Sequence, residues 1–309
     1  MNPVLFYEYG KSRNDFISTW KTDNTSTGSS VSTQVRLPLH VSGTYNFFVD
    51  WGDGLSDIIT SYNQAEVTHT YAVAGTYQIK IKGTCTGWFF NNTGDKLKML
   101  SVQRWGCFRL TSIGGYFYGC ANLNLSSVTD VLQLSGIANG TAFFRDCTAL
   151  TTINRIGEWA MGSFTLFNQF FTNCVNMNAD IHLWNVTSGV NYTQMLYNCT
   201  LFNKPIGTWN MTSAINLTEM LRMATKFNQN ISAWNIINVT GMIGFMQGKT
   251  AANYSAANYD ALLIAWSALI VKPNLTPNFG TIKYTSAASF ARAILTGAPN
   301  NWTIADGGL

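Results

Sequence analysis

The stretch Leu201-Phe-Asn-Lys-Pro-Ile-Gly-Thr-Trp-Asn-Met-Thr-Ser213 returns 25 residues later as Lys226-Phe-Asn-Gln-Asn-Ile-Ser-Ala-Trp-Asn-Ile236. Outward from this pair, tryptophans recur with a period of 25 residues, at Trp159, Trp184, Trp209 and Trp234. Cysteines recur at intervals of 27, 27 and 25 residues, at Cys120, Cys147, Cys174 and Cys199. Several apolar columns with a shared period predict a solenoid, in which each unit buries its apolar side only against its neighbours.

Each unit is predicted to contain a short strand, a short helix and a loop. The segment Leu110-Thr-Ser-Ile113 has the composition of a strand. Phe117, Cys120 and Leu123 follow at the i, i+3 spacing of one or two helical turns. Asparagines near the predicted turns suit side-chain capping of exposed backbone groups.

The cysteine and tryptophan columns each allow two interpretations. A small, weakly polar side chain at one inward position indicates a packing ladder, although neighbouring thiols of stacked units could approach disulfide distance. The tryptophans could form a row of platforms for sugar rings. Their strict period, with an isoleucine three residues before each, favours a place in the core.

The repeated stretch resembles the repeat of the BspA-like (DUF285-type) leucine-rich-repeat surface proteins. Its Phe-Asn, Ile, Trp and Asn elements fall at the expected offsets, and the resemblance covers Leu100 to about Gln247. The early units depart from that pattern, since they lack the tryptophan until Trp159. The resemblance implies an α/β leucine-rich-repeat-like solenoid, which we place at residues 85–249.

Residues 15–84 follow a different pattern, in which short alternating strands are punctuated by Gly, Ser and Thr, and this predicts a β-sandwich. Phe47-Phe-Val-Asp-Trp-Gly-Asp-Gly54 and His69-Thr-Tyr-Ala-Val-Ala-Gly-Thr-Tyr77 resemble the motifs of PKD-like domains. That resemblance implies an immunoglobulin-like module. Together with the repeat, it is similar to the arrangement in surface proteins of Bacteroidetes bacteria or their phages.

Three carboxylates of this module, Asp50, Asp53 and Asp57, are weak candidates for a calcium site. They lack the spacing and the closing glutamate of a calcium loop, so bonds to turn amides are the favoured interpretation. His69 is predicted to be a half-buried strand residue bonded to a local backbone group.

Cys85 and Cys107 lie outside the repeated column and are the best candidates for a disulfide in an oxidising compartment. After Met246 the period fails, and residues 250–309 are predicted to form a helical C-terminal cap. Its helices are expected at Ala256 to Ile270 and from Ser286 to Leu295. Residues 1–14 are left as an N-terminal arm. The predicted fold class is therefore mixed: an immunoglobulin-like β-sandwich, an α/β solenoid and a helical cap.

Composition limits the partners. Only 11% of the 309 residues are charged, the net charge is +4 and no three basic residues are consecutive, which argues against binding to nucleic acid or acidic lipid. No stretch approaches the apolar length of about 18 residues that spans a membrane. No signal peptide is visible at the N-terminus. We expect a location in a virion, outside the cell or on its surface.

No catalytic motif, metal-ligand spacing or cofactor motif is present, so we expect no enzyme, no metal and no cofactor. A glycosidase would need two carboxylates across a cleft, and the offsets of Asp130, Asp146, Glu158, Asp180 and Glu219 do not suggest a pair.

The leading hypothesis is a recognition or adhesion protein that binds a host glycan or protein, as a fibre, spike or decoration of a phage particle. The alternatives are a bacterial adhesin and a purely structural particle protein that contacts other virion proteins. Tyr116, Tyr118 and Tyr197 are the candidate contacts, with ordinary packing as their alternative. The oligomeric state and the binding face stay open.

Overall fold

The computed structural model describes residues 14–309, so the predicted N-terminal arm, residues 1–14, lies outside the described residues except for its last one. The strands of the described chain are β1 (Phe16–Lys21), β2 (Gln34–Arg36), β3 (Tyr45–Asp50), β4 (Ser56–Ile59), β5 (Thr68–Thr70), β6 (Thr76–Cys85) and β7 (Met99–Arg104). One antiparallel sheet has the order β4-β3-β6-β1-β7, and β2 pairs with β5 in a second sheet. The fifth strand of the larger sheet comes from beyond residue 84.

The larger sheet forms because its strands alternate apolar and polar side chains. In β1, Phe16, Ser18 and Trp20 are buried while the residues between them are partly exposed, as expected of a strand with one face in the core. The ring of Phe16 stacks on Phe108, with 4.7 Å between the ring centres, and meets Trp88 edge-on at 5.6 Å. Aromatic side chains from the start of the repeat region therefore complete the core of this sheet.

A buried ion pair ties the first module to the repeat region. Asp95 and Lys98 are both inaccessible to solvent, with 3.6 Å between Lys98 Nζ and Asp95 Oδ1. Asp95 accepts hydrogen bonds from the backbone N–H groups of Ser30 (2.7 Å) and Arg36 (2.6 Å). Lys98 Nζ donates to backbone carbonyls between Ser30 and Gln34, including that of Gln34 (2.8 Å). Burial lowers the pKa of Lys98, and the neighbouring Asp95 partly offsets that effect.

The predicted fold class is wrong. In residues 14–309 the regular secondary structure is mostly antiparallel β-sheet with few helices, and the larger sheet is open, with β4 and β7 at its edges. An immunoglobulin-like β-sandwich followed by an α/β leucine-rich-repeat-like solenoid with a helical cap does not describe it. Between β7 and residue 255 the described chain has only the 3-10 turn Ile156–Glu158 and isolated single-residue bridges.

The short helix predicted in each unit is absent because its amide groups bond to the next unit instead. The N–H groups of Gly115, Phe117 and Gly119 donate to carbonyls 26 residues further on, at 2.8 to 2.9 Å. An α-helix would direct each N–H to the carbonyl four residues back. Gly115 and Gly119 also have φ values of 63° and 86°, in the left-handed region that interrupts a helix. The predicted strand Leu110–Ile113 is likewise a turn.

Adjacent units are joined by repeated backbone hydrogen bonds and by parallel bridges. The N–H groups of Gln169, Phe171 and Asn173 donate to the carbonyls of Thr193, Met195 and Tyr197, at 2.8 to 2.9 Å. The same pattern continues into the following units. Four of the parallel bridges form one series, Asn139↔Leu166↔Asn191↔Asn216↔Gly241.

The periodic cysteines and tryptophans lie in the core. The thiols of Cys147, Cys174 and Cys199 donate to the carbonyls of Phe117, Phe144 and Phe171 in the preceding unit, at 2.9 to 3.1 Å. The four tryptophans at the 25-residue period are at most 3% exposed. The indole N–H groups of Trp184, Trp209 and Trp234 donate to Ile156, Ile181 and Ile206 carbonyls, at 2.8 to 3.2 Å. These rings are therefore unavailable as external platforms.

Two helices follow near the predicted positions, α1 (Ala256–Ser267) and α2 (Ser289–Thr296). The side chain of Ser255 accepts from the N–H of Asn258 and caps the start of α1. Asp260 of α1 is buried and accepts from the N–H and hydroxyl of Thr285, at 2.8 and 2.6 Å. The segment after α2 is joined to that helix by Asp306, which forms an ion pair with Arg292 of α2 (2.8 Å).

Lys249 occupies the cysteine column after the last cysteine and is only 1% exposed. Its Nζ donates to the carbonyls of Ala224 (2.6 Å) and Thr225 (3.2 Å). The ring centres of Phe227 and Tyr254 lie 5.9 and 5.8 Å from the same nitrogen. Burial lowers the pKa of Lys249 to about 7.

Replacing Lys249 with methionine removes the titrating amine and keeps a long side chain. The unfolded chain keeps this lysine protonated up to its ordinary pKa of 10.5, whereas the folded chain does so only up to about 7. Between these values the unfolded state binds more protons, so stability rises with pH. From about pH 7 to about pH 9 the wild type should gain at most about 1.4 kcal/mol per pH unit relative to Lys249→Met.

Chemical denaturation of both proteins across this range measures the difference between the two pH profiles. Parallel profiles would show that Lys249 titrates alike in the folded and unfolded chains.

Candidate ligand-binding groove

Two positions of each unit adopt the left-handed conformation, and they order the polar side chains of one face. One position holds Gly119, Asp146, Asn173, Asn198, Met223 and Gly248, with φ between 59° and 92° except for Asn198 at 56°. Asparagine and aspartate tolerate this conformation better than other non-glycine residues. Because the position recurs in every unit, its side chains lie next to one another along the repeat.

Three of these side chains form a hydrogen-bonded series that we call the amide ladder: Asp146, Asn173 and Asn198. Asn173 Nδ2 donates to Asp146 Oδ1 at 2.7 Å, and Asn198 Nδ2 donates to Asn173 Oδ1 at 3.1 Å. Each bond joins one unit to the next. The ladder ends at Met223, whose side chain cannot continue it.

A second series runs beside the amide ladder at the other left-handed position. Gln169 Nε2 donates to Gln194 Oε1 (2.9 Å), and Gln194 Nε2 donates to Glu219 Oε2 (2.6 Å). Arg222 forms an ion pair with Glu219. Burial alone would raise the pKa of Glu219, but the bonds from Gln194 and Arg222 outweigh it and lower the pKa. The carboxylate is therefore held ionised inside this series.

The amide ladder lines a groove of about 670 Å³ between the first module and the repeat, a volume typical of small-ligand sites. At one end the groove is lined by Ser26, Thr27, Asn92, Lys96 and Leu97. Along its length it is lined by the ladder together with Gly119, Ala121, Thr148 and Val175. Lys96 and Asp146 are the only charged lining residues, so the groove has no net charge.

Gly119 keeps the groove open near its first end. A Cβ there would collide with Asn92 Oδ1 and lie 2.8 Å from Lys96 Cδ, and the φ of 86° also favours glycine. Lys96 Nζ is held by the backbone carbonyl of Asn92 at 2.6 Å and by its side-chain oxygen at 2.5 Å. The Ser26 hydroxyl oxygen is buried and has no hydrogen-bond partner among residues 14–309.

The three tyrosines singled out from the sequence do not line this groove. Tyr116 is fully buried, and its hydroxyl donates to the carbonyls of Thr111 (2.5 Å) and Asn139 (2.9 Å). Burial raises its pKa to about 12. Tyr116 is therefore not an external contact.

Tyr118 and Tyr197 are half-buried, and each ring lies under an arginine of the next unit. The guanidinium carbon of Arg145 is 4.8 Å from the ring centre of Tyr118, and that of Arg222 is 5.7 Å from Tyr197. They directly precede Gly119 and Asn198 of the groove lining. The signal missed in the sequence was the polar residue one position before three of the four cysteines of the column: Asp146, Asn173 and Asn198.

The calcium candidates are each used in local bonds. Asp50 Oδ1 accepts from the N–H of Gly52 (2.9 Å), and Asp53 Oδ1 accepts from the N–H of Leu55 (3.0 Å). Asp57 Oδ2 accepts from the indole N–H of Trp51 (2.8 Å). Within residues 14–309 no group of three or more His, Cys, Asp or Glu side chains could hold a metal ion.

His69 was assigned the wrong partner from the sequence. Its Nε2 bonds to Asp53 Oδ2 at 2.8 Å rather than to a backbone group, and its ring stacks on Trp51 with 4.8 Å between centres. Burial alone would raise the pKa of Asp53. The hydrogen bonds from His69 and from the N–H of Leu55 outweigh burial and lower that pKa. The motif around Gly52 is thus a structural turn.

Cys85 and Cys107 are both buried free thiols. Cys107 Sγ donates to the carbonyl of Ile81 at 3.3 Å, and burial raises the pKa of Cys85. The thiols of the repeated column have pKa values raised by the same cause. Nucleophilic chemistry needs a thiolate, which burial disfavours at Cys85 and at the column cysteines.

A second depression, of about 420 Å³, brings Glu158 and Asp180 into one lining with His182. Arg155 bonds to Glu158 at 2.7 Å and lowers its pKa. Burial alone would raise the pKa of Asp180, but the hydrogen bonds from His182 outweigh it and lower that pKa. Glycoside hydrolysis needs one carboxyl group with a raised pKa as the general acid. Neither carboxylate here has this property.

One family comparison bears on the chain. The model of a family described as Mycoplasma protein of unknown function, DUF285, matches residues 138–259, which is less than half of the chain. The match includes Asp146, Asn173 and Asn198 of the groove. The comparisons with curated proteins and with solved structures gave no match. No helix among residues 14–309 combines the length and apolar character needed to cross a bilayer.

The thiol count of the denatured protein tests the state of Cys85 and Cys107. Six thiols should react with a thiol reagent after denaturation without reductant, because all six cysteines are free. The native protein should react slowly, since the thiols are buried. A count of four that rises to six after reduction would instead demonstrate one disulfide.

Proposed function

We propose that this protein is a non-enzymatic recognition protein that binds a host glycan or protein through the groove along the amide ladder. The observation that carries the proposal is a neutral groove of about 670 Å³ walled by hydrogen-bonding side chains from successive units. Amide and hydroxyl groups both donate and accept, so they suit a polar ligand without charge. The net charge of +4 on 309 residues agrees with recognition that does not depend on charge.

A binding role fits these groups better than catalysis. Three ionisable groups of the two depressions are paired with partners: Lys96 with Asn92, Glu158 with Arg155, and Asp180 with His182. The pKa values of Glu158 and Asp180 are both lowered, so these carboxylates stay ionised. A proton-transfer catalyst needs a group whose pKa lies near the working pH.

We propose that the protein lies at an exposed surface, as a fibre, spike or decoration of a phage particle. The resemblance of the repeat to BspA-like surface proteins, and of the first module to PKD-like domains, supports such a place. A bacterial surface adhesin would use the same groove in the same way. A purely structural particle protein would not need it, and this difference is testable.

Filling the groove tests the proposal. Thr148 is exposed and lines the groove, and its hydroxyl bonds to the carbonyl of Ala121 at 3.3 Å. Thr148→Trp should occupy the space of a ligand without touching the core. The labelled wild-type protein should bind a subset of a panel of bacterial and epithelial cells, and the variant should lose at least about tenfold in affinity.

Thr225→Trp is the matched control. Thr225 occupies the equivalent position two units beyond the groove's Val175, and its hydroxyl makes the equivalent bond to Thr200 at 3.3 Å. It does not line the groove. The control should bind as the wild type does. Absence of cell binding, or equal loss in both variants, would remove the recognition function and leave the structural one.

A further inference from the structure

We infer that the groove binds a neutral linear glycan that runs along the repeat, with one sugar residue against each unit and the chain end at the Ser26 side. This inference rests on the proposed function, because it names the ligand class of the same groove. It follows from the spacing, the hydrogen-bonding capacity, the charge and the two unequal ends of the groove.

The spacing of the units matches a sugar chain. Neighbouring units are hydrogen-bonded to each other as parallel strands are, so equivalent side chains recur about every 4.8 Å. The groove contains the same position of four successive units: Gly119, Asp146, Asn173 and Asn198. A pyranose linked through opposite ring carbons advances by a similar distance. Successive sugars can therefore lie at the same place relative to successive units.

An extended polypeptide matches this spacing poorly. Groups on one side of a strand recur every two residues, or about 6.7 Å. A peptide in the groove would therefore fall out of step with the ladder within two units. The geometry favours the glycan over the peptide, although both present hydroxyl or amide groups.

The ladder keeps hydrogen-bonding capacity for a ligand. Within the ladder Asn173 uses one N–H towards Asp146 and accepts one bond from Asn198. An asparagine amide has two N–H donors and two lone pairs on its oxygen. Each amide thus retains a donor and an acceptor, the combination that a sugar hydroxyl needs. Ala121 and Val175 give the groove small apolar patches for the C–H faces of the rings.

Charge favours a neutral sugar over a uronate or a sulfated one. The groove has one cation, Lys96, and one anion, Asp146. Lys96 is held by two oxygens of Asn92, and the guanidinium of Arg145 lies 3.8 Å from Asp146. A series of anionic sugars would meet Asp146 in the middle of the groove without a cation for each residue.

The ends of the groove differ, which gives the ligand a direction. At the first end the Ser26 hydroxyl oxygen is buried without a partner among the described residues, beside Thr27 and Lys96. Ser26 and Thr27 of the first module thus wall this end of the groove. The lining at the other end is Asn198, from the repeat alone. The terminal sugar therefore lies at Ser26, and the chain leaves past Asn198.

Glycine substitutions provide a clean test, because glycine already occupies this left-handed position at Gly119 and Gly248. Asn173→Gly and Asn198→Gly remove the amides without backbone strain. Met223→Gly is the matched control, since Met223 has the same conformation and does not line the groove. Circular dichroism and thermal unfolding of each variant confirm that the fold is kept.

The probes are neutral linear oligosaccharides of several hexose and N-acetylhexosamine types, from monosaccharides to hexasaccharides, on an array and then by calorimetry. For a ligand that binds, affinity should rise up to the tetrasaccharide and then level off, because four units line the groove. Each glycine variant should weaken binding about three- to tenfold, the effect of one or two hydrogen bonds. Met223→Gly should not change it.

Treatment of the target cells separates this inference from the proposed function. Periodate cleaves hexoses with vicinal hydroxyls, and endoglycosidases cleave N-acetylhexosamine chains, which lack such hydroxyls when linked through opposite ring carbons. One of these two treatments should abolish the binding that Thr148→Trp also abolishes. Groove-dependent binding that resists both treatments and is lost with protease would overturn the glycan and retain the recognition function. No binding to any neutral oligosaccharide, or equal affinity for all chain lengths, would also overturn it.

Discussion

The backbone hydrogen bond between one unit and the next is the constraint on which the repeat region depends. Alternate amides of the segment before each cysteine donate to the following unit, as Gln169, Phe171 and Asn173 show. An amide that donates to the next unit cannot also donate within a helix. The left-handed residues on either side of the segment set the direction of its backbone. The repeat region can then contain almost no regular secondary structure and still satisfy its buried backbone groups.

The same constraint determines what the side chains can do. Because each unit repeats the backbone of the last, a residue type at one position meets its own kind in the next unit. Inward, this gives thiols that bond to the preceding unit, as Cys174 does to the carbonyl of Phe144 at 2.9 Å. Outward, it gives amides that bond to one another, as Asn198 does to Asn173. The packing of the core and the candidate site thus both follow from the hydrogen bonding between units.

The sequence predicts mainly those features of the structure that repeat with its period or follow from a local pattern. The buried tryptophan and cysteine columns follow from their spacing, and α1 and α2 follow from local patterns near Ala256 and Ser289. The helix in each unit was predicted wrongly because Phe117 and Cys120 have helical spacing, while the amide of Phe117 bonds to Phe143, 26 residues further on, and that of Cys120 closes a single turn on Phe117. Spacing within a unit does not reveal whether an amide bonds locally or across units.

Long-range polar contacts were the other part that the sequence did not reveal. Asp95 bonds to Ser30 and Arg36, 65 and 59 residues away, and no periodicity connects them. His69 bonds to Asp53 across a fold of the chain rather than to its own strand. The amide ladder lies in the repeat itself, but Gly119, Asp146 and Met223 vary its residue type. A repeated position can be recognised in the sequence only where packing restricts it to one kind of side chain.

The pairing of the few charges explains why the groove is neutral. Only 11% of the residues are charged, and several of them are used inside the fold, as in the pairs Asp95–Lys98 and Arg292–Asp306. Further pairs, such as Arg155–Glu158, neutralise each other at the surface. The groove lining contains amides and hydroxyls from successive units, together with the single charges of Lys96 and Asp146. A ligand that matches this surface must present neutral hydrogen-bonding groups at the spacing of the units, and its length must be matched by the number of units that face it.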